Sequence, residues 1–214
     1  MPTRIIGFVL ALLAVALAPA YGPRAAEPLP PVTGPAEPKV APTKEDGLYT
    51  QTWFLRSFMD LREDFENARR AGKRLAIIFE QQGCPYCTKL HTEVLALRYI
   101  NDYARANFDV LQIDLFGSRE VTDFDGRRMT EKKLAERWGV IFTPTIVFMK
   151  HDLTGLDGKW GRALEATERM PAGMGPGAIY DMLVWVRHRL YDRDPNFQRF
   201  HIARHQEREA LPKN

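Results

Sequence analysis

The chain has 214 residues, with 30 basic and 27 acidic side chains and a formal net charge of +3 at pH 7. This nearly balanced charge argues against a nucleic-acid partner, because binding to a phosphate backbone requires a strongly basic surface. The length suffices for one domain with a sizeable core. There are only two cysteines, too few for a disulfide framework that joins separate parts of a chain.

The first 20 residues have the pattern of a secretory signal. Arg4 precedes an uncharged apolar run over residues 5–18, and Ala18-Pro19-Ala20 fits the small-x-small pattern of a cleavage site. The run is short for a membrane span. We therefore interpret residues 1–20 as a signal peptide and expect the mature protein in the periplasm, with an uncleaved N-terminal anchor as the alternative.

A linker and a first helix follow. Residues 21–47 are rich in proline and alanine and carry few large apolar side chains, which predicts an extended linker or disordered arm. The folded domain is predicted over residues 48–191. Near its start, Asp60 is a candidate N-cap, apolar residues recur at helical spacing, and Gly72 is a stop signal. This pattern predicts a helix over residues 60–72.

The centre of the chain has the pattern of a βαβ unit. The apolar run 74–79 predicts a strand buried on both faces, and it leads directly into the segment 83–87, Gly-Cys-Pro-Tyr-Cys. A helix is predicted from Pro85 to about Ala96, with a second helical piece over residues 99–106. The run 108–114 then predicts a second strand, parallel to the first.

A polar segment follows the second strand. Residues 116–128 carry the turn signal Asp125-Gly126, which favours a small hairpin or a lid whose role stays open. Thr130 is a candidate cap for a helix that ends at Trp138 before Gly139. The apolar residues 140–149 predict a strand.

The last part of the domain is predicted to hold a short strand around residues 162–169 and a closing amphipathic helix over residues 176–190. Residues 192–214 are polar, and we expect them to form an exposed tail.

The two cysteines stand in the C-x-x-C layout typical of redox sites. A helix that begins at Pro85 directs its unpaired N–H groups and the positive end of its dipole at Cys84, so Cys84 is predicted to ionise readily and to attack. Cys87 lies one turn further into the helix, and we expect it to be less exposed and to act as the resolving thiol. The alternative is an inert structural disulfide.

Three motifs in this order resemble the thioredoxin family over residues 52–190, and within it the exported SoxW-like thioredoxins found with bacterial sulfur-oxidation genes. The motifs are Gly83-Cys84-Pro85-Tyr86-Cys87 at a strand-to-helix junction, Trp138-Gly139-Val140 leading into Thr143-Pro144-Thr145, and Met170-Pro171-Ala172-Gly173 before the last helix. The resemblance implies a thioredoxin-like α/β fold, in which helices flank a central mixed β-sheet.

The resemblance also implies an activity, thiol:disulfide exchange with protein clients. A membrane or soluble thiol reductant would supply electrons, no cofactor is expected, and a monomer is expected. In the family, the proline that matches Pro144 follows a cis peptide bond and lies against the cysteines. Thr143 and Pro144 are therefore candidates for binding an extended substrate segment, with a simple tight turn as the alternative. Pro85 and Tyr86 are further substrate-binding candidates, and Tyr86 is alternatively a cover for the core.

One departure from the family concerns the resolving step. Ile78 occupies the position of the buried aspartate that cytosolic thioredoxins carry six residues before the first cysteine. Glu80 lies two residues further on the same strand face, so we predict that it relays a proton to Cys87, the alternative being a surface charge at the strand end. His91 follows Cys84 by seven residues and either tunes the thiol or is a solvated helix residue.

Two other functions stay open at this level. A metal-binding carrier would use the C-x-x-C pair with a histidine, and His201 and His205 superficially complete a zinc set, although no metal site is predicted. A non-catalytic binding module would use the cysteines only to lock a loop.

Overall fold

The computed structural model describes residues 28–170 and 173–212. The predicted signal peptide, the first residues of the predicted linker, and Pro171 and Ala172 of the third motif lie outside the described residues. No helix in the described part of the chain has the length and apolar character needed to cross a membrane.

The described residues form short strands and helices that alternate through the middle of the chain. The strands are β1 (Thr43–Glu45), β2 (Leu48–Thr50), β3 (Arg74–Glu80), β4 (Phe108–Asp114), β5 (Glu120–Thr122), β6 (Arg128–Thr130) and β7 (Thr145–Phe148). The helices are α1 (Leu61–Arg70), α2 (Pro85–Lys89), α3 (Arg98–Asn107), α4 (Glu131–Trp138), α5 (Pro176–Arg187) and α6 (Phe197–Glu209). A π-helical turn over Leu90–Val94 continues α2, and 3-10 turns cover Gly161–Leu164 and Leu190–Asp192.

The central sheet is mixed and has the strand order β4-β3-β7. Strand β3 pairs with β4 in parallel and with β7 antiparallel, which confirms the predicted fold class. The strand predicted around residues 162–169 is reduced to two isolated bridges on the outer side of β7, Ile146 with Met170 and Met149 with Glu165. The strand predicted over residues 140–149 is shorter in the structure, because its first five residues form the loop before β7.

Strand β3 is buried on both faces because a helical layer covers each side. Ile78 packs into the cluster that contains residues of α3 and α5, whereas Ile77 and Phe79 pack into the cluster formed with α1 and α4. Each of these large side chains stabilises the fold by about 1.5–3 kcal/mol relative to an exposed position. The uniformly apolar strand predicted from the sequence therefore lies at the centre of the molecule.

Local signals place the helix ends. Asp60 accepts hydrogen bonds from the N–H groups of Arg62 and Glu63 and caps α1, as predicted. Thr130 caps α4, and Gly139 ends it in the left-handed conformation with φ of 64°.

The helix predicted from Pro85 to Ala96 differs in the structure. The α-helical part ends at Lys89, and the N–H of Leu95 then bonds to the carbonyl of Leu90 at 2.8 Å, which is the wider spacing of a π-helical turn. Such turns are rare and often occur at functional sites. His91 lies in this turn and is fully buried.

The N-terminal arm is fixed to the domain. Strand β1, within the predicted linker, pairs with β2. Further back, the carbonyl groups of Pro35 and Ala36 accept hydrogen bonds from the N–H groups at the start of α3, and the N–H of Val40 bonds to the carbonyl of Ala96. Several backbone groups of residues 28–47 are therefore paired with the domain or within the hairpin, which favours the extended linker over the disordered arm for this part of the chain.

Most residues of the C-terminal segment are exposed, as expected, but part of the segment packs against the domain. Helix α6 lies against α5 because the buried carboxylate of Asp181 accepts hydrogen bonds from His201, Arg204 and Arg208. The same arginines donate to the carbonyl groups of the N-terminal arm at residues 30–32. Asp181 thus joins both ends of the described chain to the domain.

Candidate active site

Cys84 is the N-cap residue of α2. Its Sγ accepts a hydrogen bond from the backbone N–H of Cys87 at 3.2 Å, and its thiol donates to the carbonyl oxygen of Thr143 at 3.5 Å. Pro85 occupies the first turn, where the absence of an N–H costs nothing. The unpaired N–H groups of this turn therefore face the sulfur and favour its thiolate.

The two cysteines are free thiols and are almost equally buried, with exposed fractions of 7% for Cys84 and 5% for Cys87. The sequence predicts a difference in exposure, but that difference is small. The two sulfur atoms differ instead in their hydrogen bonds, since only Cys84 stands at the helix start.

Their pKa values move in opposite directions. Burial raises the pKa of the Cys84 thiol, but hydrogen bonds with the side chains of Cys87 and Thr143 and with the backbone N–H groups of Cys87 and Tyr86 outweigh burial and hold this pKa below its ordinary value. Burial also raises the pKa of the Cys87 thiol, and there the hydrogen bond with Cys84 and the charge of Glu80 act in the same direction. At neutral pH, Cys84 is therefore the better nucleophile and Cys87 holds its proton.

The loop before β7 brings Thr143 and Pro144 to the cysteines. The peptide bond between these two residues is cis, and the carbonyl of Thr143 faces Cys84. Tyr86 is 53% exposed, so it does not cover the core. Tyr86 and Pro144 line the same groove of about 200 Å³ beside the dithiol, together with the apolar side chain of Ile146.

Glu80 ends β3 and is 1% exposed, so the alternative of a surface charge is wrong. Its Oε2 lies 3.0 Å from Nε2 of His91 and also accepts a hydrogen bond from Nε2 of Gln112. Its Oε1 is buried and has no hydrogen-bond partner among the described residues. The carboxylate is close enough to Cys87 for its charge to raise the pKa of that thiol.

His91 is fully buried, which excludes the interpretation of a solvated helix residue. It binds Glu80 through Nε2, and Nδ1 lies 3.2 Å from Nε2 of Gln51. Gln51 and Gln112 belong to the site but are not identified by sequence reasoning, because isolated glutamines in the chain carry no spacing signal. Only the tertiary fold shows that Gln112 bonds to Glu80 and that Gln51 bonds to His91.

The C-terminal histidines are used elsewhere. Nδ1 of His201 lies 2.7 Å from the carboxylate of Asp181, and its ring stacks on Phe197. Within residues 28–170 and 173–212, no group of three or more His, Cys, Asp or Glu side chains is arranged to hold a metal ion.

The fold and the site together define a thioredoxin-fold protein with a C-x-x-C dithiol at the start of a helix. Residues 61–158 match the family model of the thioredoxin-like domain, so this part of the chain is similar to that family. The match begins at α1 and therefore excludes the hairpin β1-β2 and Gln51.

One solved structure supports this fold, and two others are similar to the chain at lower TM-scores. A thioredoxin-fold protein from Helicobacter pylori superimposes with a TM-score of 0.55 at 18% identity, over 72% of this chain and 93% of that one. A thioredoxin from Thermus thermophilus is 22% identical, with a TM-score of 0.43 over 58% and 81% of the two chains. A DsbH oxidoreductase is 18% identical, with a TM-score of 0.40 over 69% of this chain and 96% of that one. No curated protein matches the chain.

Proposed function

We propose that this protein is an exported thiol:disulfide oxidoreductase that exchanges its dithiol with the disulfide of a protein client. The observation that carries the proposal is the hydrogen bond from the N–H of Cys87 to Sγ of Cys84 at the N-terminus of α2. It lowers the pKa of one thiol of the pair, which is the requirement for a nucleophilic cysteine at neutral pH.

The reaction has two steps. The Cys84 thiolate attacks one sulfur of the client disulfide, forming a mixed disulfide and releasing the other client sulfur as a thiolate. Cys87 then attacks Sγ of Cys84, which forms the Cys84–Cys87 disulfide and releases the second client sulfur. The client gains two electrons, and the dithiol loses two. A thiol reductant must restore the dithiol after each cycle.

The second step requires Cys87 to lose its proton, and Glu80 is the proposed acceptor. Ionised Glu80 opposes the Cys87 thiolate by its charge, but this opposition ends when the carboxylate takes the proton. The negative charge thus moves from Glu80 to Cys87, and no second charge is created in the buried site.

The client segment is proposed to lie in the groove lined by Tyr86 and Pro144. Tyr86 offers an exposed aromatic face, and the loop carrying Thr143 lies directly beside the attacking sulfur. The resemblance to SoxW-like thioredoxins suggests a carrier protein of sulfur oxidation as the client and a membrane electron carrier as the reductant.

Export rests on the signal pattern of residues 1–20. Expression of the complete sequence in a Gram-negative host, followed by fractionation and mass determination of the product, tests it. We expect a processed form in the periplasmic fraction. A full-length protein in the cytoplasm or in the membrane would contradict export.

Reduction of insulin by the protein in the presence of dithiothreitol tests the activity. We expect precipitation of the insulin B chain well above the rate with dithiothreitol alone, and loss of this acceleration in Cys84→Ser. Equal rates for wild type and Cys84→Ser would overturn the proposed function.

A further inference from the structure

A chain of buried polar side chains leads away from Glu80 and ends at Trp53. Starting from Glu80, its members are His91, Gln51, Asn101 and Trp53, joined by contacts of 3.0, 3.2, 3.0 and 3.1 Å. His91 is 0% exposed, and Gln51 and Asn101 are each 3% exposed. Burying polar groups in the core is costly unless each of them is hydrogen-bonded. Each donor in the chain must therefore face an acceptor, and this requirement fixes the direction of each hydrogen bond.

The direction is fixed first at Asn101, whose amide lies between two groups that have one role each. The indole N–H of Trp53 can only donate, so Oδ1 of Asn101 is its acceptor. The carbonyl of Leu95 can only accept, so Nδ2 of Asn101 faces it at 2.7 Å. The second hydrogen of Nδ2 then points to Oε1 of Gln51.

This orientation determines the tautomer of His91. Because Oε1 of Gln51 accepts from Asn101, Nε2 of Gln51 is the group that faces Nδ1 of His91, and it donates. Nδ1 therefore carries no proton. The single ring proton lies on Nε2, where it is donated to Oε2 of Glu80.

Gln112 supplies the second anchor of the carboxylate. Its Nε2 donates to the carbonyl of Tyr49 at 2.7 Å, which fixes the amide orientation, and also to Oε2 of Glu80. Two donors thus converge on Oε2, whereas Oε1 has no partner among the described residues. Oε1 is the oxygen of Glu80 that is free to take a proton.

We propose that the chain Trp53–Asn101–Gln51 locks His91 as its neutral Nε2–H tautomer, and that His91 thereby presents Oε1 of Glu80 as the proton acceptor for Cys87. The inference rests on the proposed function and adds positioning residues to it. Gln51 and Trp53 precede the range that matches the thioredoxin-like domain, so the N-terminal segment is part of the catalytic machinery rather than only a cover.

The proton step balances. The Cys87 thiol gives its proton to Oε1 of Glu80, and the sulfur electron pair left behind forms the bond to Sγ of Cys84 as the mixed disulfide breaks. Glu80 becomes neutral while Oε2 keeps both hydrogen bonds. An imidazolium at position 91 would hold Glu80 as an ion pair and weaken it as a base, so the neutral tautomer matters.

The first test is nitrogen NMR on the wild-type protein labelled at histidine, with the His91 signals assigned through their loss in His91→Asn. Neutral His91 with the proton on Nε2 is expected at neutral pH. A proton on Nδ1, or a doubly protonated ring, would overturn the inference whatever the activity of the protein.

The second test is stopped-flow reaction with 5,5′-dithiobis(2-nitrobenzoate), which reports the two steps separately. Attack by Cys84 releases the first thionitrobenzoate, and resolution by Cys87 releases the second. Gln51→Glu replaces the donor at Nδ1 with a carboxylate, so His91 becomes doubly protonated. We expect the second phase to slow about tenfold and the first to change by less than about twofold.

Gln206→Glu makes the same chemical change on the exposed side of α6 and should leave both phases unchanged. An unchanged second phase in Gln51→Glu, with His91 doubly protonated by NMR, would contradict the inference. If Gln51→Glu does not fold, the His91 tautomer measured by NMR in the wild-type protein decides whether the inference holds. Absence of a second phase in the wild type would instead overturn the proposed function, and the NMR result would remain a separate finding.

Discussion

The backbone N–H of Cys87 donates a hydrogen bond of 3.2 Å to Sγ of Cys84, so two thiols of nearly equal burial differ in acidity. The pKa of Cys84 is lowered, and the pKa of Cys87 is raised by burial, by Cys84 and by Glu80. In the proposed reaction, the residue at the helix start is the nucleophile, and its neighbour one turn later stays protonated until the resolving step.

This difference predicts which variant traps clients. Cys87→Ser should accumulate mixed disulfides with client proteins, because attack by Cys84 proceeds and resolution cannot. Cys84→Ser should accumulate none. Non-reducing gels of periplasmic extracts, followed by mass spectrometry of the bands, provide the measurement. Trapping by Cys84→Ser alone would reverse the assignment.

The contribution of the Cys87 side chain to the acidity of Cys84 can be measured with two substitutions. Serine at position 87 keeps a hydroxyl that can donate to the Cys84 thiolate, whereas alanine does not. The Cys84 pKa should therefore be higher in Cys87→Ala than in Cys87→Ser, as measured by thiolate absorbance against pH. Equal pKa values would show that the Cys87 side chain does not lower the pKa of Cys84.

Glu80→Gln tests the proton acceptor. The amide keeps a similar shape but cannot take the proton, so the second phase of the dithiobis(nitrobenzoate) reaction should slow about 100-fold while the first phase is retained. Removing the charge of Glu80 also lowers the pKa of Cys87, and this effect would speed the second phase. The sign of the change therefore decides between the two effects. A faster second phase would mean that Glu80 acts only as a charge.

The buried carboxyl group of Asp64 should make the free energy of unfolding depend on pH. Burial, partly offset by the hydrogen bond from Ser57, raises its pKa to about 6 from 3.8. Because the pKa is higher in the folded state, the stability contributed by protonated Asp64 is fully present below pH 3.8 and is lost as the pH rises through about 6. Asp64→Asn, which can still accept from Ser57, should gain about 3 kcal/mol over wild type above that range.

Urea unfolding at a series of pH values measures this gain, and it should vanish in acid. Glu136→Gln changes an exposed carboxylate on α4 and serves as the control. If Asp64→Asn shows no larger gain above pH 6 than in acid, Asp64 is ionised without penalty in the folded protein.

Because Asp181 holds the arginines of α6, which also bind the N-terminal arm, its replacement should loosen both ends of the described chain together. Burial raises the pKa of this carboxyl, but hydrogen bonds from Arg208, Arg204 and His201 outweigh burial and lower it. Asp181→Ala leaves the buried guanidinium of Arg204 without its carboxylate and should cost about 3–5 kcal/mol.

Hydrogen exchange should show lost protection in α6 and in α3 where the N-terminal arm binds it, before the central sheet is affected. Asp192→Ala removes an exposed partner of Arg189 and should cost less than about 1 kcal/mol. Loss of protection in α6 alone would mean that Asp181 does not hold the arm.

Much of the fold is encoded in short-range patterns. The apolar run before Cys84 predicts β3, the run 108–114 coincides with β4, and Asp60, Thr130 and Gly139 mark helix ends through backbone hydrogen bonds that depend only on nearby residues. These signals are local, so they can be recognised without the tertiary structure. The C-x-x-C spacing likewise identifies the candidate redox pair from four residues.

Other features depend on residues that are distant in the sequence. Helix α6 has little amphipathic pattern of its own, and it packs because the arginines on it meet Asp181 on α5. The π-helical turn buries His91. Its position seven residues after Cys84 cannot by itself distinguish a buried histidine from a solvated one. The sequence alone thus predicted the C-x-x-C pair and the order of the elements from α1 to β4. Only the tertiary structure decided the surroundings of Glu80, because hydrogen bonds between buried polar groups form where the packed elements bring those groups together.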